Sequence, residues 1–244
     1  MARLEQRGGP QVLGMPRIEG SLKLKEVIQP SEVNVMLIGM QGEGGFSMHD
    51  PIGLGVITKR IHTDHPTVEV EQYDIQPQLS RTGKIDTDLL AEQMHEYVTR
   101  PESDKNTTII GFGVPIYSVN YLQSTLIKYE QLCEEEPPKG KVEIVLGGAI
   151  PTHTDSELLR EMFPNVKLVK GEGEERMSAM VAQALRGEEI TESTSNFEWA
   201  NLQDYAGSDR TLTVDTLGHG GMPKLEASRG CGFGACSFCS RDLL

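Results

Sequence analysis

The sequence predicts an α/β fold in which a five-stranded parallel sheet is doubly wound, with helices on both faces. Three observations predict it. Five short strand-like runs occur between residues 33 and 169, and four of them carry glycine at or close to their carboxyl ends. Segments with helical periodicity separate the runs. The first and third runs are apolar at most positions, as expected of strands covered on both faces. Strands alternating with helices feed right-handed crossovers. These favour the strand order 2-1-3-4-5 and place ligand sites beyond the carboxyl ends of the strands.

The elements follow in order. Val33-Asn34-Val35-Met36-Leu37-Ile38-Gly39 reads as a buried strand, and a loop with Gly42, Gly44 and Gly45 follows. A helix spans residues 51–61, with Asp50 as N-cap and Pro51 in its first turn. Residues 68–74 alternate in polarity, the pattern of a half-exposed strand at a sheet edge. Residues 86–100 form a helix with Leu89, Leu90, Met94, Tyr97 and Val98 on its apolar face. Residues 107–114 are the third, central strand. A helix over 117–136 is stopped by Pro137-Pro138. Residues 141–146 are the fourth strand, closed by Gly147-Gly148. A short helix covers 155–163. Residues 166–169 are the fifth strand, which ends in Gly171-Glu172-Gly173-Glu174, and the last helix covers 175–186. This is a Rossmann or flavodoxin-like arrangement.

The domain so defined spans 31–186. Residues 1–30, rich in Gly, Pro and charge, read as an N-terminal arm with a short helix around 22–28. From 187 to 221 hydrophobic periodicity fades, and the segment reads as a linker. Residues 222–244 begin a second unit. The chain carries 36 acidic against 23 basic residues in 244, a formal charge of −13. Such a field repels phosphates, so neither nucleic acid nor an anionic membrane is an expected partner. There is no run of 18 apolar residues and no apolar segment at the N-terminus, which leads to an expected cytoplasmic location.

Four cysteines are present. Cys133 stands alone on the 117–136 helix beside Glu134, Glu135 and Glu136, and reads as an inert thiol next to a solvated helix end. Cys231, Cys236 and Cys239 crowd together in Arg229-Gly230-Cys231-Gly232-Phe233-Gly234-Ala235-Cys236-Ser237-Phe238-Cys239. Three thiolates on a glycine-loosened loop can hold a cubane iron–sulfur cluster and leave one iron without a protein ligand. A three-cysteine zinc loop or a set of buried thiols are the alternatives, although no close fourth Cys or His completes a tetrahedral zinc set.

This segment resembles the cluster loop of radical S-adenosylmethionine enzymes. Their usual spacing is C-x3-C-x2-C, with an aromatic residue just before the third cysteine. Phe238 holds that position, and the one extra residue lies in a Gly-x-Gly stretch. The resemblance implies that Cys231, Cys236 and Cys239 hold a 4Fe–4S cluster and that S-adenosylmethionine chelates its open iron, with Phe238 beside the cofactor.

The preceding domain resembles the cobalamin-binding domain of the cobalamin-dependent members of that family. Asp50-Pro51-Ile52-Gly53-Leu54-Gly55, Gly147-Gly148, Val169-Lys170-Gly171-Glu172-Gly173-Glu174 and the cysteine loop carry the likeness by their order and spacing, which covers residues 33–244. It implies a nucleotide tail of cobalamin between sheet and helices, with Gly147, Gly148, Gly171 and Glu172 at the cofactor. Ser118 is placed to hydrogen-bond that tail, or simply to cap its helix. Met40-Gln41-Gly42 follows the first strand where other cobalamin domains carry a cobalt-ligating histidine, so cobalt without a protein histidine is expected. His49, His62, His65, His95 and His153 read as ordinary surface or loop histidines, and His219 carries no assignment.

The chain is thus expected to be the N-terminal portion of such an enzyme, of the methyltransferase type. Its substrate would be a small molecule or peptide, and the rest of the triosephosphate-isomerase-type barrel would lie beyond Leu244 or on a second chain. Two other readings stay open: a non-catalytic cobalamin-binding or carrier module with a degenerate cysteine loop, and a flavodoxin-like domain that binds another ligand or a partner protein.

Overall fold

The computed structural model describes residues 32–40, 51–75, 85–101, 107–115, 118–194, 207–218 and 220–223. Its strands are β1 (Val33–Gly39), β2 (Glu69–Asp74), β3 (Thr107–Gly113), β4 (Lys141–Gly147) and β5 (Val166–Leu168). Its helices are α1 (Ile52–Asp64), α2 (Thr87–Thr99), α3 (Val119–Glu135), α4 (Ala149–His153), α5 (Ser156–Met162), α6 (Glu174–Leu185) and α7 (Thr211–Gly218). The sheet has the expected order β2-β1-β3-β4-β5, and every neighbouring pair is parallel.

Alternation along the strands divides the core in two. Met36, Ile38, Ile110, Phe112, Leu146 and Leu168 pack against Leu90, Met94 and Tyr97 of α2, Leu122 of α3, Ile150 of α4 and Leu159 of α5. Val33, Val35, Leu37, Ile109 and Val145 pack against Leu54 and Ile61 of α1 and Met177, Met180 and Val181 of α6. Each such side chain removed from water contributes about 1.5–3 kcal/mol before the entropy of ordering is subtracted.

Helix starts follow local chemistry. Asp86 caps α2 by accepting from the Leu89 N–H at 3.0 Å. Asp155 caps α5 through the Glu157 and Leu158 N–H groups at 2.7 and 3.3 Å. Three details depart from expectation. Pro51 is itself the N-cap of α1 rather than part of its first turn. Leu89 does not join the buried stripe of α2 but is 40% exposed, and Ala91 takes the place against the core. The single turn α4 follows Gly148 directly, because Gly148 at φ 91° and ψ −157° redirects the chain in a conformation open essentially to glycine.

The segment read from sequence as a linker returns to the sheet at both ends. Beyond β5, Val169 bridges Ser193 in parallel; the Ser193 N–H donates to the Leu168 carbonyl at 2.9 Å and the Lys170 N–H to the Ser193 carbonyl at 2.8 Å. At the β2 edge, the Asp209 N–H donates to the Gly55 carbonyl at 2.9 Å, and Gln72 Nε2 donates to Asp209 Oδ1 at 2.8 Å. A methyl on Gly55 would collide with the Asp209 carbonyl, so this strap needs a glycine beneath it. The same segment holds α7, with Asp209 Oδ1 accepting from the Thr211 N–H at 2.9 Å. The bridge at Val169 occupies part of the outer edge of β5, where another strand could otherwise add. No described helix is long and apolar enough to cross a membrane.

Candidate functional site

The chain leaves β1 for α1 on one face of the sheet and leaves β3 for α3 on the other. Adjacent strands whose connections diverge open a crevice at their carboxyl ends, the usual ligand position of doubly wound sheets. Here the crevice has a floor without side chains. Gly39 pairs with Gly113, and Gly113 pairs with Gly147, so three neighbouring strands carry glycine at one level. Asp74 of β2 ends the row opposite Gly39. By strand parity the row lies on the α1/α6 face.

The packing shows which of these glycines the fold itself requires. A Cβ on Gly39 would sit 3.1 Å from Leu54 Cδ1, and one on Gly111, a level deeper, 2.9 Å from Leu37 Cδ2. Those two positions are tight. A Cβ on Gly113 or Gly147 would meet nothing closer than 3.9 or 3.8 Å, and both residues are partly exposed. Among the described residues nothing packs closely onto this floor, which is what a cradle for a ligand requires.

The rim is laced together. The Val114 N–H donates to the Gly147 carbonyl at 2.9 Å and the Ile150 N–H to the Val114 carbonyl at 3.1 Å. Thr152 Oγ1 donates to the Gly148 carbonyl at 2.7 Å and accepts from the Gly171 N–H at 3.0 Å. Lys170 Nζ donates to the Thr154 carbonyl at 3.1 Å. The ends of β3, β4 and β5 thus form one connected border, on which Gly171 and Glu172 are half-buried.

Ser118 closes the opposite flank. It occupies the N-cap of α3 and is fully buried, yet it makes no cap hydrogen bond, and its Oγ has no partner among the described residues. A buried hydroxyl left unpaired costs about 1–3 kcal/mol, and none of the described residues supplies its acceptor. Helix capping, the plainer role for this residue, is not what its side chain does.

Five residues singled out from sequence, Ser118, Gly147, Gly148, Gly171 and Glu172, therefore meet at the carboxyl edge of the sheet. Cys231, Cys236, Cys239 and Phe238 lie outside the described residues. Sequence reasoning noted Gly39 and Gly113 as strand ends but not their register with Gly147, which only pairing reveals. It also missed Thr152 and Lys170 as the ties of the rim.

Other titratable groups serve the scaffold. His65 Nε2 lies 3.0 Å from the Ser178 carbonyl, and His95 Nε2 lies 2.8 Å from the Glu136 carbonyl at the end of α3. Burial pushes the Cys133 thiol up, with the Tyr129 hydroxyl pulling the other way and Glu130 adding to the rise. Among the described residues, no group of three His, Cys, Asp or Glu side chains is placed to hold a metal ion.

No family model and no curated protein matches the chain. Solved structures of the cobalamin-dependent S-adenosylmethionine radical enzyme OxsB share its fold. The form with aqua-cobalamin and S-adenosylmethionine bound matches with a TM-score of 0.65 at 17% identity. The form with aqua-cobalamin bound matches at 0.66 and 17%, and the apo, selenomethionine-labelled form at 0.61 and 18%. Each match covers 87% of this chain but only 28% of the OxsB chain. The α/β architecture inferred from sequence is therefore one that a much longer enzyme also contains.

Proposed function

We propose that the α/β domain seats cobalamin over the carboxyl edge of its sheet, as part of a cobalamin-dependent radical S-adenosylmethionine enzyme. The observation that carries this reading is the carboxyl edge of the sheet itself: glycines at Gly113 and Gly147 with room above them among the described residues, and, at the start of α3, a buried Ser118 hydroxyl without a partner among the described residues. The fold shared with OxsB supports it. Gly147 and Gly148 let the ligand approach the backbone, Gly171 and Glu172 border it, and the Ser118 hydroxyl donates to its nucleotide tail. Cys231, Cys236 and Cys239 hold a 4Fe–4S cluster with one iron free for S-adenosylmethionine, and Phe238 sits beside that cofactor. Cobalamin supplies a cobalt centre that can carry a methyl group, and the cluster supplies an electron. The reaction class is methyl transfer to a small molecule or peptide, on a barrel completed by further chain or a second subunit.

Anaerobic reconstitution with iron, sulfide and hydroxocobalamin tests this by absorbance and metal analysis. One cobalamin and about four iron per chain are expected. Cys231→Ala, Cys236→Ala and Cys239→Ala should each lose the iron and keep the cobalamin. Cobalamin uptake without iron would instead identify a carrier module, and absence of cobalamin uptake would overturn the proposal.

A further inference from the structure

We propose that Thr58 is a further binding residue of this crevice, and that its hydroxyl donates a hydrogen bond to an acceptor on the nucleotide tail. This rests on the cobalamin reading. Thr58 lies on α1, is 1% exposed, and its Oγ1 has no partner among the described residues. A threonine inside a helix ordinarily satisfies its hydroxyl on the carbonyl four residues back. Thr63 of the same helix does so, donating to the Lys59 carbonyl at 2.7 Å, and Thr99 of α2 donates likewise to the His95 carbonyl at 2.8 Å. The buried Thr58 makes no such bond.

Its position shows where the hydroxyl is spent. Leu54, Thr58 and Ile61 fall on one stripe of α1, and both apolar members pack onto the sheet face that carries the glycine row. The Leu54 methyl groups lie 3.1 Å from the place of a Gly39 Cβ and 3.9 Å from that of Gly113. Thr58 is thus one helical turn, about 5.4 Å, deeper along the same wall. Across from this wall, Met177 Cε of α6 lies 3.3 Å from where a Gly111 Cβ would be. A thioether on an unbranched stem swings aside more readily than a branched side chain. α1 and α6 pack against each other on this face, with the movable Met177 at Gly111 and the Thr58 hydroxyl as an orphan donor among the apolar side chains. A tail end that displaced Met177 would bring a ring nitrogen, ribose oxygen or phosphate oxygen to that donor.

The test compares Thr58→Val, which keeps shape and loses the hydroxyl, with Thr58→Ser, which keeps the hydroxyl, in the full chain. Titrations use hydroxocobalamin and cobinamide, which has the macrocycle but no nucleotide tail. Thr58→Val should weaken hydroxocobalamin binding about tenfold, Thr58→Ser by no more than about threefold, and cobinamide binding should not change. The ligand-free Thr58→Val protein should melt no lower than wild type. Thr63→Val, whose hydroxyl is already paired, should bind as wild type. Wild-type affinity in Thr58→Val, an equal loss for both ligands, or a lower ligand-free melting temperature overturns the role of Thr58 alone. Failure of the wild type to bind hydroxocobalamin overturns the cobalamin reading along with it.

Discussion

Two adjacent glycines, Gly147 and Gly148, should respond to alanine in opposite ways. Gly148 holds φ 91° and ψ −157°, where an L side chain costs on the order of 1–3 kcal/mol. Its new Cβ would also lie 3.1 Å from the Val114 nitrogen, a backbone atom that cannot turn aside. A cost of about 2–3 kcal/mol follows. Gly147 lies in β4 without a positive φ, and its Cβ would meet the Phe112 carbonyl oxygen only at 3.8 Å. There alanine removes freedom from the unfolded chain and stabilises by about 0.5 kcal/mol. The gap between the variants is about 3 kcal/mol, or roughly 6–12 °C in melting temperature for a domain of this size. Thermal and urea unfolding followed by circular dichroism measure it. Gly147→Leu then separates folding from function: it should melt close to wild type while cobalamin affinity falls at least about tenfold, because its side chain occupies the crevice floor. If Gly147→Ala unfolds as early as Gly148→Ala, or Gly147→Leu binds cobalamin like wild type, the floor is not a ligand cradle.

Two further outcomes test the scaffold. Burial opposes ionisation of Asp64, but the Ser178 hydroxyl, donating to Oδ2 at 2.5 Å, and Arg60, whose Nε lies at 2.7 Å, hold its carboxyl below the ordinary value of 3.8. Because the folded-state value is the lower one, the contribution is fully present above about pH 4 and is lost as pH falls from there through the folded-state value. Ser178→Ala should accordingly cost about 1 kcal/mol near neutral pH, and less near about pH 3, in urea midpoints. Asp209→Ala removes both the bond from the first N–H of α7 and the bond from Gln72. Hydrogen exchange should quicken across residues 211–218 while the sheet amides keep their protection, at a cost of about 1 kcal/mol.

Much of the fold was legible. The β1 and β3 runs announce strands covered on both faces, and the alternation of β2 announces an edge, since both patterns are consequences of which faces meet water. Asp86 and Asp155 mark helix starts because a short carboxylate satisfies otherwise orphaned N–H groups. The α4 turn was not legible, because it depends on a backbone reversal at Gly148 rather than on any periodicity. Neither was α7, whose Thr-Leu-Thr-Val-Asp-Thr-Leu-Gly composition carries no amphipathic signal and which is anchored by the distant Gly55 and Gln72. The exposure of Leu89 and burial of Ala91 likewise depend on which neighbour lies across α2.

The linear order of residues was enough to determine the strand sequence and the crossover topology, because local periodicity and chain chirality govern both. Tertiary pairing alone decided that Gly39, Gly113 and Gly147 share one level, that the hydroxyls of Ser118 and Thr58 are buried without partners among the described residues, and that the segment after α6 returns to β5 at Ser193 and to α1 and Gln72 at Asp209. Those are relations between residues far apart in the chain, set by register and packing, and no local pattern encodes them.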